Sequence, residues 1–333
     1  MNSRLAIIGA GSWGTALAIV LSPKFDRVLL WAHETDLAEQ MCSTRINDVF
    51  LPGFSLPPNV DPTSDLGHAL VNSDVVMGVM PSRFARATYR EMLPYLKPPV
   101  RFVSATKGLE QGTLLRMSEV AREVIGEKFP PRIAVLSGPT FAREVAAGDP
   151  TAVVIASEDR ELAASIQRDF SGPTFRLYAS DDPVGVEIGA ALKNIIAIGA
   201  GMCEGLGLGS NTMAALITRG LAEITRLAIE LGGRPRTLPG LAGLGDLVLT
   251  CNGALSRNRS VGIELAKGRK LGEIVSSMTM IAEGVETTGA AVELARKFQV
   301  DMPITEQMGA ILGGRISPRE AIRELMERAL KPE

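Results

Sequence analysis

Apolar residues in the first 181 positions gather into short runs, each closed by a polar or glycine-bearing turn; beyond Asp182 they recur at helical spacing instead. The early runs Leu5–Ile8, Val28–Trp31, Asp74–Met80, Arg101–Ala105, Ile133–Leu136, Thr151–Ser157 and Thr174–Tyr178 read as buried strands, because a strand covered on both faces is apolar at nearly every position. Helical stretches separate them, and this alternation predicts an α/β domain over residues 1–181. Residues 182–333 hold glycine-broken amphipathic runs: Val184–Cys203, Asn211–Leu231, Asp246–Cys251, Arg259–Lys267, Leu271–Met278, Thr288–Phe298, Ile304–Leu312 and Pro318–Ala329. These predict an all-helical C-terminal domain, with a substrate expected in the cleft between the domains. No internal repeat or low-complexity segment interrupts either part.

The turn after the first run sharpens this picture. Gly9-Ala10-Gly11-Ser12-Trp13-Gly14 lies between that strand and a helix read from Thr15, the setting that gives a GxGxxG motif its meaning. Gly9 permits the tight turn, Gly11 lets a pyrophosphate approach the backbone, and Gly14 lets helix and strand close up. The helix N-terminus adds N–H donors and a positive dipole end. This is the dinucleotide signature of a Rossmann-type domain. At the end of the second strand, an acid favours the ribose hydroxyl of NAD and a base the phosphate of NADP. His33 and Glu34 stand side by side there, so both NAD and NADP remain open, with NADP favoured on His33. Further turns follow later strand ends, where open α/β sheets bind ligands. Lys107 is a cation at that edge or a surface lysine; Gly138 and Thr140 serve a ligand, or merely turn the chain and cap a helix.

In the helical part, Lys193 and Asn194 interrupt an otherwise apolar run. Burying an unpaired ammonium is costly, so such a lysine pairs, loses its proton, works on a ligand, or snorkels to water. Gly189, Ala190, Ala197 and Gly201 surround the pair at helical spacing, leaving room for a ligand or allowing close helix packing. Asp246 and Thr250 are four apart and share a helix face, although an aspartate after glycine is also a common N-cap. Ser256-Arg257-Asn258-Arg259 puts two guanidiniums, a hydroxyl and an amide together, which suits a phosphate or makes a solvated turn.

Composition narrows the classes. A chain of 333 residues favours two domains. Its net charge of −2 offers nucleic acid no general field, so an anionic ligand needs local cations. Cys42, Cys203 and Cys251 lie far apart without CxxC spacing, reading as reduced core residues and not as a disulfide framework or a metal site. The start has no basic segment or cleavage site, and no unbroken apolar stretch reaches the roughly 18 residues of a spanning helix. A cytoplasmic protein without membrane insertion is therefore expected. With His33 and His68 the only histidines, proton transfer would fall to lysine, acid or tyrosine side chains.

Eight blocks then occur in order: GAGSWGTALA at 9–18, KGLE at 107–110, LSGPTFAREV at 136–145, ALKN at 191–194, ALITRGLAEITRL at 215–227, GLAGLGDLVLTC at 240–251, SRNR at 256–259 and AEG at 282–284. With them the chain resembles, over nearly its whole length, the bacterial NAD(P)-dependent glycerol-3-phosphate dehydrogenases. The resemblance implies interconversion of dihydroxyacetone phosphate and sn-glycerol 3-phosphate, supplying glycerophospholipid synthesis, by a homodimer. It assigns Lys193 to proton transfer, with Lys107 and Asp246 as further catalytic groups. Substrate contacts fall on Lys107, Gly138, Thr140, Lys193, Asp246, Ser256, Arg257 and Asn258. Cofactor contacts fall on Ser12, Trp13, His33, Lys107, Ala142, Arg257, Ile281 and Glu283, beside the Gly9, Gly11 and Gly14 turn. Asn194 and Thr250 are supporting residues. Glu204, where a shorter aspartate is common, and Ala282, where valine is usual, depart from the pattern. Two other readings stand beside it: a hydroxyacid dehydrogenase whose SRNR block holds a carboxylate, and a non-catalytic dinucleotide sensor.

Overall fold

The computed structural model describes residues 3–278 and 280–330. The chain forms two compact units, Met1–Lys107 with Leu115–Glu187, and Gly108–Leu114 with Ile188–Glu333. The long helix Pro183–Gly205 therefore contributes residues to both.

The strands of the first unit are β1 (Arg4–Ile8), β2 (Arg27–Trp31), β3 (Ile46–Asn47), β4 (Leu51–Ser55), β5 (Val60–Thr63), β6 (Val75–Gly78), β7 (Arg101–Ser104), β8 (Arg132–Ser137), β9 (Thr151–Ala156) and β10 (Phe175–Ser180). Eight make one sheet in the order β10-β9-β8-β7-β6-β1-β2-β5, and β3 pairs with β4 alone. Every strand read from an apolar run is present. Side chains on both faces of the central strands β1, β2, β6, β7 and β8 are buried, whereas the edge strand β10 buries only alternate residues, with Arg176 and Tyr178 exposed. Leu5 and Ile7 pack with Leu17 and Leu30 on one side of the sheet; Ala6 and Ile8 pack with Tyr89 and Phe102 on the other. That two-sided burial is what makes the runs continuous rather than alternating. The expected Rossmann-type core is there, with one departure from uniform direction. β9 runs antiparallel to β8, and β10 is parallel to β9. The helix between β8 and β9, Ala142–Ala147, has six residues and spans about 9 Å. A six-residue strand is about 20 Å long, so this helix does not carry the chain back to the start of β8.

Three strands lie outside the apolar runs. β5 is an edge strand containing Pro62, where a missing N–H is tolerated. β3 and β4 form a short pair, and β4 carries Pro52 and Gly53, which erase the alternation that marks a strand.

In the second unit the regular elements within residues 188–278 and 280–330 are all helical, while residues 108–114 form a turn with Leu109 as a lone bridge residue. After the long helix come Ser210–Glu230, Asp246–Asn252, Arg257–Ala266, Leu271–Ser276, Glu283–Lys297, Pro303–Leu312 and Pro318–Met326. A π-helical turn, Leu241–Gly245, leads into the Asp246 helix. Glycines set the closest approaches. A Cβ on Gly201 would lie 1.9 Å from the Arg259 carbonyl oxygen, and one on Gly262 would lie 1.9 Å from that of Ile198. One on Gly189 would meet the Ala242 carbonyl at 2.8 Å. Of the small residues near Lys193, Gly189 and Gly201 thus serve helix packing, with backbone filling the space beside them. The Pro183–Gly205 helix is long and apolar enough to cross a membrane, yet every residue in its 18-residue apolar window is buried inside the protein.

Candidate active site

In the first unit, strand β1 ends at Ile8 and the next residue, Gly9, takes φ +122°. A Cβ there would approach the Val79 carbonyl oxygen to 2.6 Å, and one on Gly14 would fall 1.8 Å from the Gly9 oxygen. Gly9 donates its N–H to Trp31 on β2 at 3.0 Å, which binds the turn to the neighbouring strand. Gly11 differs: its backbone is extended, and nothing lies within 4 Å of a would-be Cβ. The helix Ser12–Leu21 starts there with no side-chain cap. An open glycine before an uncapped helix start is what an approaching pyrophosphate requires, so these residues fit a dinucleotide. Ser12 and Trp13 occupy the first turn of that helix. His33 and Glu34 are both exposed just past the end of β2, with the His33 ring 5.8 Å from Trp31.

Lys107, Gly138 and Thr140, from two separate turns, meet on one carbonyl. The Lys107 Nζ and the Thr140 Oγ1 each donate to the Gly138 oxygen at 3.2 Å. Gly138 has φ +157°, and a Cβ there would press on Val153 at 2.9 Å. Ala142 opens the helix that follows.

The second unit holds the buried chemistry. Lys193 is 5% exposed and Asp246 0%. Lys193 Nζ is ion-paired with Asp246 Oδ1 and donates to Thr250 Oγ1 at 2.9 Å. The Thr250 hydroxyl in turn donates a hydrogen bond to the Asp246 backbone carbonyl at 2.6 Å. The lysine is therefore paired rather than snorkelling. Asp246 is the first residue of its helix, the cap position belongs to Gly245, and the carboxylate turns to Lys193 instead. The π-helical turn before it is a feature often found at functional sites.

Next on the same helix, Asn194 accepts from Asn258 Nδ2 at 3.0 Å, while Asn258 Oδ1 accepts the Gly284 N–H at 2.9 Å. This joins the lysine helix to the start of the Glu283 helix. Ser256 caps the Arg257–Ala266 helix by accepting from Arg259 N at 3.3 Å. Arg257 is exposed and donates to the Ile281 carbonyl at 2.8 Å, with the Glu283 charge in electrostatic reach. Arg259 pairs with Glu204, so the departure at Glu204 supplies a partner for the second guanidinium of the SRNR block. No group of three or more histidine, cysteine, aspartate or glutamate side chains suited to a metal ion occurs among the described residues.

A residue absent from the sequence reading is Asn47. It is fully buried and bonded to the glycine turn. Nothing local marks it, since its partners lie 37 and 32 positions earlier.

A dinucleotide-type glycine turn, together with a buried lysine–carboxylate pair on a helical unit, defines a nucleotide-dependent oxidoreductase. The chain belongs to the NAD-dependent glycerol-3-phosphate dehydrogenase family, matching its N-terminal part over residues 4–163 and its C-terminal part over residues 182–323. It is 57% identical over 328 residues to the glycerol-3-phosphate dehydrogenase [NAD(P)+] of Koribacter versatilis, covering 98% of this chain and 97% of that one. The corresponding protein of Syntrophotalea carbinolica is 53% identical, covering 99% of each. Among solved structures, glycerol-3-phosphate dehydrogenase from Coxiella burnetii superposes with a TM-score of 0.93 at 41% identity, covering 98% of this chain and 99% of that one. The chain is thus an oxidoreductase whose cofactor is NAD or NADP.

Proposed function

We propose that this chain reduces dihydroxyacetone phosphate to sn-glycerol 3-phosphate and catalyses the reverse, as a cytoplasmic homodimer supplying glycerophospholipid synthesis. The Lys193–Asp246–Thr250 cluster is the observation that carries the reading. A carboxylate and a hydroxyl together hold the Lys193 ammonium in a defined orientation. When bound, the dinucleotide supplies the hydride. As C2 of the ketone is reduced, its oxygen gains negative charge; Lys193 stabilises that charge and donates the proton. Asp246 compensates the lysine's buried charge and orients it.

Arg257 is proposed to grip the substrate phosphate, joined by the Ser256 hydroxyl and the Asn258 amide. Such remote contacts hold the reacting carbon in place. Lys107 is proposed to add positive charge for the substrate, with Gly138 and Thr140 as further contacts. The dinucleotide is proposed to sit on Gly9, Gly11, Ser12, Trp13 and Gly14 with His33, Lys107 and Ala142, and to meet Arg257, Ile281 and Glu283. Asn194 and Thr250 support the lysine.

Initial rates of NADH and NADPH oxidation with dihydroxyacetone phosphate test this reading. Turnover is expected with the phosphorylated ketone and not with dihydroxyacetone. Lys193→Ala should lower kcat by about 10²–10⁴, the span of general acid catalysis. No turnover by folded protein that binds NADH would overturn the reading.

A further inference from the structure

We propose that Asn47 is a positioning residue for the dinucleotide, setting the direction of the peptide between Ala10 and Gly11 so that the Gly11 N–H faces the pyrophosphate. The proposal rests on the assignment of the glycine turn to the cofactor. Asn47 is 0% exposed, and its amide is engaged at both ends. Nδ2 donates to the Ala10 carbonyl and to Thr15 Oγ1, each at 2.8 Å, while Oδ1 accepts the Phe50 N–H at 3.0 Å.

The Phe50 bond fixes which end of the amide faces the turn. Because Oδ1 is taken by an N–H, the donor end must point at Ala10. Carbonyl and N–H of one trans peptide point in opposite directions. Drawing the Ala10 oxygen inward to Asn47 therefore directs the Gly11 N–H away from Asn47, at a glycine whose would-be Cβ also meets nothing within 4 Å. Thr15 closes the arrangement: its N–H bonds the Gly11 carbonyl at 3.0 Å, and its hydroxyl lies 3.4 Å from the Ala10 oxygen. One amide thus ties the residue before the open glycine to the first turn of the helix after it. Its backbone is anchored independently, in β3 against Leu51 of β4.

Asn47→Asp is the test. It keeps shape but sets an acceptor against the Ala10 carbonyl, so the peptide turns away. The dissociation constants of NADH and NADPH, followed by fluorescence, should both rise about tenfold. At saturating NADH, kcat and the KM for dihydroxyacetone phosphate should stay within about twofold. Binding should recover at acidic pH, where the introduced carboxyl is protonated and donates again. A merely structural role would lower thermal stability without that pH-dependent recovery. Unchanged NADH binding in folded N47D, or a fall in kcat alone, would overturn the proposal. Should N47D fail to fold, Thr15→Val carries the test, with about threefold weaker NADH binding expected and unchanged binding overturning it. Gly11→Ala separates the two levels. It meets no atom in the protein, so if it leaves NADH binding untouched, the glycine-turn assignment fails as well; if it weakens binding while N47D and T15V do not, only the role of Asn47 fails.

Discussion

A buried ammonium is tolerable only beside a compensating charge, and at the scale of single residues Lys193 makes this measurable. Asp246→Ala should cost about 3–5 kcal/mol in urea unfolding, since it strands a buried cation. Adding Lys193→Met should restore part of that loss, and simple additivity of the two single changes would show that the pair is uncoupled. Cysteines give a second expectation. Burial pushes the Cys251 thiol up to about 12, outweighing the lowering effect of the Lys193 charge. Burial also raises Cys203, whereas Cys42 is exposed. Native protein at mildly alkaline pH should therefore label at Cys42 alone, with the other two reacting only after unfolding; mass spectrometry of the labelled sites checks this. The oddity of Lys193 in an apolar run was legible in the sequence. Its partners were named only through the family resemblance; the residues alone did not join them to it, because Asp246 and Thr250 lie 53 and 57 positions away and an aspartate after glycine also reads as a cap.

At the scale of elements, close glycine contacts decide where helices cross. Gly262→Ala would drive a methyl into the Ile198 carbonyl and should destabilise the fold by about 1–3 kcal/mol, or more if the backbone does not yield. The urea midpoint reads this directly. Glu223 illustrates a cap supplied from elsewhere: its carboxylate accepts the N–H groups of Ile304 and Thr305 at 2.6 and 3.0 Å, at the start of the Pro303–Leu312 helix. Burial pushes its pKa up, and these hydrogen bonds only partly offset the shift. A raised carboxylate means that the native state holds more protons than the unfolded state above about pH 4.3. This group's contribution to stability therefore falls as pH rises through its native pKa. Glu223→Gln should flatten the fall in unfolding free energy over that window, and an unchanged slope would assign the pH dependence to other groups. Helix spans followed from the 3.6-residue periodicity, but the Glu283–Lys297 helix begins five residues before the expected Thr288. Its first turn is secured by the Asn258–Gly284 bond, a tertiary contact with no local signature.

At the scale of the whole molecule, binding and folding are linked. NADH at about a hundred times its dissociation constant should stabilise the protein by roughly 2.7 kcal/mol, seen as a higher unfolding midpoint. Gly11→Ala should lose most of that gain while its ligand-free midpoint stays put, because the added methyl meets only open space. Periodicity and turn chemistry are local properties, so the sequence by itself determined the alternation of strands and helices, the glycine turn and the helical second part. The tertiary structure decided what depends on two distant faces meeting. It turned β9 and β10 against the rest of the sheet, filled the space beside Gly189 and Gly201 with backbone, and gave Arg259 to Glu204. It brought Asn47 to the glycine turn and Asp246 to Lys193. A hydrogen bond between residues dozens of positions apart exists only once packing fixes both ends. No spacing along the chain encodes it.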